Sequence, residues 1–276
     1  MPHDEDRFHS RDGLLLYEQR WLPETAARAV LVIVHGFAEH SGRYARLAGE
    51  LNAHGYSVYG ADLRGHGRSQ GEPCYIQSFE PLPDDLEIFL ERIRRREPGR
   101  PLFLLGHSLG GTIAIRYAIA RQPDLCGLIL SAPGLRIGRK AFPWLRRLAP
   151  LFSRIVPRWR VVRMGARMIS HDAEVVAGFR ADPLVFHDRF PIRTGAEILR
   201  AMQRASAEME MVRVPLLILH GTGDLACDCE GSRELFRRAA STDKQLHLYP
   251  GLYHEVFSEP ERGQVLADLL AWLAAR

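Results

Sequence analysis

The segment Gly106-His107-Ser108-Leu109-Gly110-Gly111 offers the chain a serine at a turn where covalent chemistry is possible. A serine hydroxyl is a poor nucleophile at neutral pH, so it needs a general base, and that base needs an acid to orient it. His254, in Pro250-Gly251-Leu252-Tyr253-His254, and Asp224, four residues after His220, follow Ser108 in the order acid then histidine. Asp228 is the nearest competing acid but falls at the start of the next helix. The pattern Gly-x-Ser-x-Gly alone is weak evidence; its place after an apolar run and before a helix gives it weight. At such a strand-to-helix turn the nucleophile's backbone is strained and its neighbours must be small, which Gly106 and Gly110 satisfy. A tetrahedral intermediate also needs two donors for its oxyanion. The backbone N–H of Leu109 is one, and the loop His35-Gly36-Phe37-Ala38-Glu39-His40 should supply the other from its backbone. His35, His66, His107 and His220 sit beside strand ends or tight turns and read as structural. His9, His40, His54, His171, His187 and His247 show no partner pattern, and no metal-ligand spacing is present.

Elements that alternate between strand and helix must position these residues. Runs suited to strands buried on both faces occur at 29–35, 56–61, 101–106, 125–131, 214–220 and 245–249, with amphipathic stretches at 44–53, 86–96, 112–121, 232–240 and 264–275. Residues 4–9 and 14–21 flank Arg11-Asp12-Gly13 and read as an antiparallel hairpin at the sheet edge. This predicts an α/β fold with a mostly parallel, eight-stranded sheet covered by helices on both faces. The alternation breaks between about Gly134 and Val212, where only helical, proline-punctuated sequence appears. The expected organisation is a core formed by 1–133 and 213–276 with a helical cap inserted at 134–212. Within the cap, Trp144, Leu148, Leu151, Phe152, Ile155 and Trp159 share one helical face, interrupted by Pro150 and Pro157. That face either docks the cap onto the core or also meets lipid.

Composition narrows the class. Among 276 residues, 46% are hydrophobic and 25% charged, as in an ordinary globular protein, and no apolar run is long enough to span a bilayer. The N-terminus lacks the pattern of a signal peptide, so a cytoplasmic address is expected. Cys74, Cys126, Cys227 and Cys229 have no zinc-site spacing, and Cys126, opening an apolar run, reads as a buried small hydrophobe. The net charge of +4 is uneven: Gly134–Arg180 holds eleven Arg or Lys against Asp172 and Glu174, so the cap is strongly basic and the remainder net acidic. A basic patch suits an anionic membrane surface or substrate, and no nucleic-acid module accompanies it. Gly221-Thr222-Gly223-Asp224-Leu225-Ala226 fits a loose dinucleotide fingerprint, but it lies late in the sheet and lacks the acidic residue after a following strand.

Taken together, these segments resemble the monoacylglycerol lipase and lysophospholipase group of α/β-hydrolases nearly end to end. The resemblance rests on His35-Gly-Phe-Ala-Glu-His-Ser-Gly-Arg-Tyr44, Asp62-Leu-Arg-Gly-His-Gly-Arg-Ser69, Gly106–Gly111, Asp182-Pro-Leu184, His220–Asp228 and Tyr249–His254. It implies a lidded pocket for one acyl chain, no cofactor, no metal and a peripheral relation to membranes. It further implies Phe37 and Leu109 as oxyanion donors, Glu39 and Arg43 near the polar end of the pocket, and Cys227 lining that region. Phe37 stands where the group usually has a small residue, and would narrow the acyl entrance. Phe257 replaces a second histidine found three residues after the catalytic one. The expected function is hydrolysis of lipid-type carboxylic esters, monoacylglycerols foremost, by Ser108, His254 and Asp224. A broader carboxylesterase or a lysophospholipase, a thioesterase, peptidase or perhydrolase, and a non-catalytic ligand-binding relative are the alternatives.

Overall fold

The aliphatic runs become strands because their residues can be buried on both faces of one sheet. The structure, a computed structural model, describes residues 2–122, 124–138, 152–163 and 165–276. In β3 (Ala29–Val34), Val30, Val32 and Val34 enter one core while Leu31 and Ile33 enter the other, as the two-residue period of a strand requires. The same split occurs in β5 (Leu102–His107), with Leu102 and Leu104 against Phe103 and Leu105, and in β9 (Leu216–Gly221), with Leu216 and Ile218 against Leu217 and Leu219.

With β1 (His3–His9), β2 (Leu15–Trp21), β4 (Tyr56–Ala61), β6 (Gly127–Ser131) and β10 (Lys244–Tyr249), these strands form one eight-stranded sheet in the order β1-β2-β4-β3-β5-β6-β9-β10. β1 and β2 are the antiparallel hairpin, β2 pairs antiparallel with β4, and the remaining neighbours are parallel. The expected fold is therefore observed. β1 reads HDEDRFH and exposes all but Phe8, so the sheet's open edge carries charge that discourages pairing with another chain.

One core is covered by α2 (Pro81–Arg96), α3 (Leu109–Arg121) and α6 (Glu230–Arg238), and the other by α1 (Ala45–Ala53) and α7 (Arg262–Ala274). α2 begins five residues before the expected start because Pro81 occupies the first turn, where a missing N–H costs nothing. Cys126 is exposed, contrary to expectation: it precedes β6 instead of lying within it.

Between the core segments lie α4 (Ala173–Ala181) and α5 (Ile192–Ala207), as a helical insertion would have. A short antiparallel pair, β7 (Arg160–Val162) with β8 (Phe190–Pro191), was not foreseen, because strands of three and two residues leave no periodicity to read. Ala201, Met202 and Ala205 of α5 are buried, and Ala201 and Ala205 join the core beneath α3. Of the apolar cap face, Trp144, Leu148 and Leu151 fall outside the described residues. Phe152 packs against Ile192 and Ala196, whereas Ile155 is 68% and Trp159 52% exposed.

Candidate active site

Ser108 sits between the last residue of β5 and the first of α3, with φ 52° and ψ −115°. A positive φ is strained for a residue with a side chain, and here surrounding backbone enforces it. A Cβ at Gly106 would lie 2.5 Å from the Gly110 carbonyl oxygen, and one at Gly110 would lie 2.1 Å from that of Val34. Only glycine lets β3, β5 and α3 meet this closely. The Ser108 amide donates to the Ser131 carbonyl at 3.0 Å, and the Ser108 carbonyl accepts from Gly134 at 2.9 Å and Thr112 at 3.2 Å. Leu109 opens α3, so its N–H has no partner within the helix and adds to the helix's positive end.

β9 and β10 are parallel neighbours, so the loops after them emerge side by side and bring Asp224 and His254 together. His254 Nδ1 bonds Asp224 Oδ2 at 2.6 Å. The same oxygen meets His220 Nε2 at 3.1 Å, while Oδ1 accepts from the amides of Ala226 at 2.7 Å and Cys227 at 3.0 Å. Burial opposes the charge on Asp224, yet His254 and His220 hold its pKa well below the usual carboxylate range. Burial likewise disfavours the imidazolium of His254, but the Asp224 carboxylate outweighs it and raises that pKa. His107, its ring 4.7 Å from that of His254, is driven down to about 3 by burial and by His254's charge. It stays a neutral wall of the site.

Cys227 joins the serine to this pair. Ser108 is among the groups acting on its thiol, and burial, followed by the charge of Asp224, pushes its pKa up. Its sulfur, an Asp224 oxygen and a His254 nitrogen all lie within 4.8 Å of one another. Among the described residues these three form the group that could share a metal ion, but both Asp224 oxygens are already engaged by protein donors.

Opposite lies the loop after β3. Gly36 is forced by crowding: a Cβ there would be 2.9 Å from Glu39 Oε1 and 3.2 Å from the Ser108 Cβ. The carboxylate of Glu39 accepts from the Gly36 amide at 2.6 Å, the Tyr44 hydroxyl at 2.9 Å and Arg43 at 2.7 Å. Arg43 also holds Glu255, beside His254, through a forked pair at 2.6 and 2.9 Å. Burial works against ionisation of Glu39, but Arg43 keeps its pKa down at about 2. Arg43 thus bridges the carboxylates of Glu39 and Glu255, a network spanning the loops of Phe37 and His254.

The same loop reaches residues 179–190, between β6 and β9. The Phe186 amide donates to the Ala38 carbonyl at 2.9 Å, His40 Nε2 meets Asp182 Oδ2 at 2.8 Å, and Arg43 stacks on Phe179. The Phe37 ring lies edge-on to Phe190 and His66, so its side chain packs between these two segments. His40 shows no partner pattern in the sequence and His220 reads there as structural, and each bonds an aspartate. His220 lies next to a glycine turn bearing Asp224, which is the signal that could have found it. Nothing local marks Glu255, which meets Arg43 212 positions away.

A mostly parallel sheet, a serine on a strained strand-to-helix turn and an acid–histidine pair beyond two later strands define the class: an α/β-hydrolase. A family model described as serine aminopeptidase, S33, matches residues 25–261, and the chain belongs to that family of hydrolases. It is 35% identical to a monoacylglycerol lipase of Mycolicibacterium smegmatis, over 98% of this chain and 97% of that one. Identity to a monoglyceride lipase of Rattus norvegicus is 32%, over 96% and 88%. Among solved structures, the monoacylglycerol lipase of Paleococcus ferrophilus is similar at TM-score 0.85 and 34% identity, covering 94% of this chain and 98% of its own.

Proposed function

We propose that this hydrolase cleaves carboxylic esters of lipids, monoacylglycerols foremost, with Ser108 as nucleophile, His254 as base and Asp224 as the acid that orients it. The observation that carries the reading is the 2.6 Å bond between His254 and Asp224, on loops beside the strained turn that holds Ser108. His254 would take the hydroxyl proton as Ser108 attacks the ester carbonyl, and return it to the departing alcohol. Water then hydrolyses the acyl-enzyme by the same exchange. The amides of Leu109 and Phe37 are the oxyanion donors in this scheme. Cys227 lines the alcohol side, and Glu39 and Arg43 shape that side by holding the loop of Phe37. Acid–base help contributes roughly 10²–10⁴-fold and an oxyanion donor roughly 10²–10³-fold. The chemistry needs only side chains and water.

The relatives favour a lipid ester: the similar proteins are monoacylglycerol lipases, and a further one, 32% identical over 86% of this chain, is a phospholipase of Bacillus subtilis. That last similarity keeps a lysophospholipase in view. A panel of monoacylglycerols, lysophospholipids and simple esters from C2 to C16 tests the reading. Long-chain monoacylglycerols should be preferred, with Ser108→Ala at least about 10⁴-fold slower. Preference for lysophospholipids or acetate esters would replace the substrate; wild-type rates in Ser108→Ala would end the mechanism.

Residues 134–212 serve in this reading as the cap, meeting an anionic membrane transiently from the cytoplasm. Exposed Ile155 and Trp159 stand among exposed Arg154, Arg158, Arg160 and Arg163. Among the described residues, no helix is long and apolar enough to cross a membrane. Co-sedimentation with phosphatidylglycerol vesicles should fall as salt is raised and the Debye length contracts. Binding indifferent to salt would remove the electrostatic part.

A further inference from the structure

The loop that carries His254 has no regular secondary structure between Gly251 and Glu255, so its backbone N–H groups must find partners elsewhere. On one side of His254, the Tyr253 amide donates to Glu259 Oε1 at 3.1 Å. On the other, the Glu255 amide donates to the carbonyl of Ile169 at 2.8 Å, and Ile169 belongs to the cap. Glu259 is itself completely buried and also grips the cap. Its carboxylate accepts from the His171 amide at 3.2 and 3.3 Å and meets His171 Nδ1 at 3.1 Å. The His171 ring lies 3.6 Å, centre to centre, from the ring of Tyr253. Ser170 adds a bond from its hydroxyl to the Ser258 carbonyl at 3.4 Å. Among the described residues, His171 is the ion-pair partner of Glu259. A fully buried carboxylate is costly unless its lone pairs are occupied, and here three donors from two segments occupy them.

We infer that Glu259 and His171 are positioning residues: they form a clamp through which the cap segment Ile169–His171 sets the alignment of the His254 imidazole. Both residues flanking His254 are tied, one directly and one through Glu259, to the same three cap residues. Displacing that segment frees the Glu255 amide and strips two of the three donors from the carboxylate that holds the Tyr253 amide. The cap therefore does more than cover the substrate. Its seating and the readiness of the general base are a single event. A shift of about 1 Å in a catalytic group is enough to cost on the order of 10²-fold in rate, so loss of part of the clamp should be visible in turnover.

The inference rests on His254 being the base of a Ser108 nucleophile, and the test separates the two. The His171 side chain is nearly half exposed, so its replacement is mild where that of Glu259 is not. His171→Phe keeps a ring against Tyr253 and the backbone amide on Glu259 but removes the side-chain donor, whereas His171→Gln keeps a side-chain donor. Turnover of p-nitrophenyl butyrate is measured per active site, counted by fluorophosphonate burst, so that unfolded protein does not enter the rate. His171→Phe should lower kcat about tenfold with KM changed less than twofold, and His171→Gln should recover most of it. Glu259→Gln should act through the same contact, so that the double variant with His171→Phe is no slower than the slower single variant. Wild-type kcat per titrated site in His171→Phe, or additive losses in the double variant, would overturn the clamp even if both proteins melt earlier. Ser108→Ala run alongside reports on the underlying triad: activity surviving there sinks that reading, while a dead Ser108→Ala with an unaffected His171→Phe sinks the clamp alone.

Discussion

Ser108 and His254 are held by different parts of the molecule. Ser108 is gripped by core backbone: Gly106, Gly110 and Val34 touch too closely for a side chain to intervene, and Ser131 and Gly134 bond its amide and carbonyl. His254 is held by polar contacts, to Asp224 from the core and, through its flanking amides, to Glu259 and the cap's Ile169. Close-packed interiors shift little, while a loop bonded to a separate insertion moves whenever the insertion does. In the proposed mechanism, a nucleophile fixed by packed backbone thus meets a base whose flanking amides are moored to Glu259 and Ile169. On the proposed clamp, readiness for reaction follows the seating of residues 169–171.

Breaking the pair is the severest way to test this contrast. Asp224→Asn removes the charge that orients and stabilises the imidazole, and kcat for a p-nitrophenyl ester should fall about 10³–10⁴-fold in a protein that stays folded by circular dichroism. A loss below tenfold would show that His254 is held adequately without its acid. On the core side, Gly110→Ala places a Cβ 2.1 Å from the Val34 carbonyl oxygen, so the turn must open and the serine must move. Turnover should drop by more than about 10²-fold together with the unfolding midpoint, since strain here is shared with the sheet. An active, undiminished variant would mean that the elbow tolerates the backbone shift.

The pH profile sharpens the comparison on the polar side. His254 must be neutral to accept a proton, and Asp224 raises its pKa above 6.5 despite burial. The inactive protonated form therefore persists to higher pH, and the acidic limb of kcat/KM should lie above pH 6.5. Asp224→Asn should move what activity remains toward lower pH, and a limb that stays put would assign it to another group. The smallest effect belongs to the far side of the cap. Trp159→Ala touches neither anchor, so hydrolysis of a dissolved short-chain ester should stay within about twofold of wild type while vesicle binding weakens. A large loss on the dissolved ester would make Trp159 part of the site itself.

Legibility followed the same division. The strands were visible because their aliphatic runs are buried on both faces, and Ser108, Asp224 and His254 were visible because each closely follows such a run. Gly36, Gly106 and Gly110 stood in motifs, though the backbone contacts that demand them are three-dimensional facts. Cys126 misled because one residue of offset separates the apolar run from the strand that buries it. Arg43 was marked only by its family motif, and Glu255, His171 and Glu259 carried no local mark. His171 and Glu259 lie 88 positions apart, and a charged residue that satisfies another so far away looks like any surface charge.

The amino-acid order by itself determined the sheet, the turn after its central strand and the placing of Ser108, Asp224 and His254 just beyond three strands, because hydrophobic period and glycine placement act over a few residues. Which carboxylate meets which cation, which way Phe37 turns, and how the loop of His254 is moored to the cap were decided only by tertiary structure. Those choices depend on desolvation and on donors arriving from remote segments, and neither exists until the core has closed and the cap has settled on it.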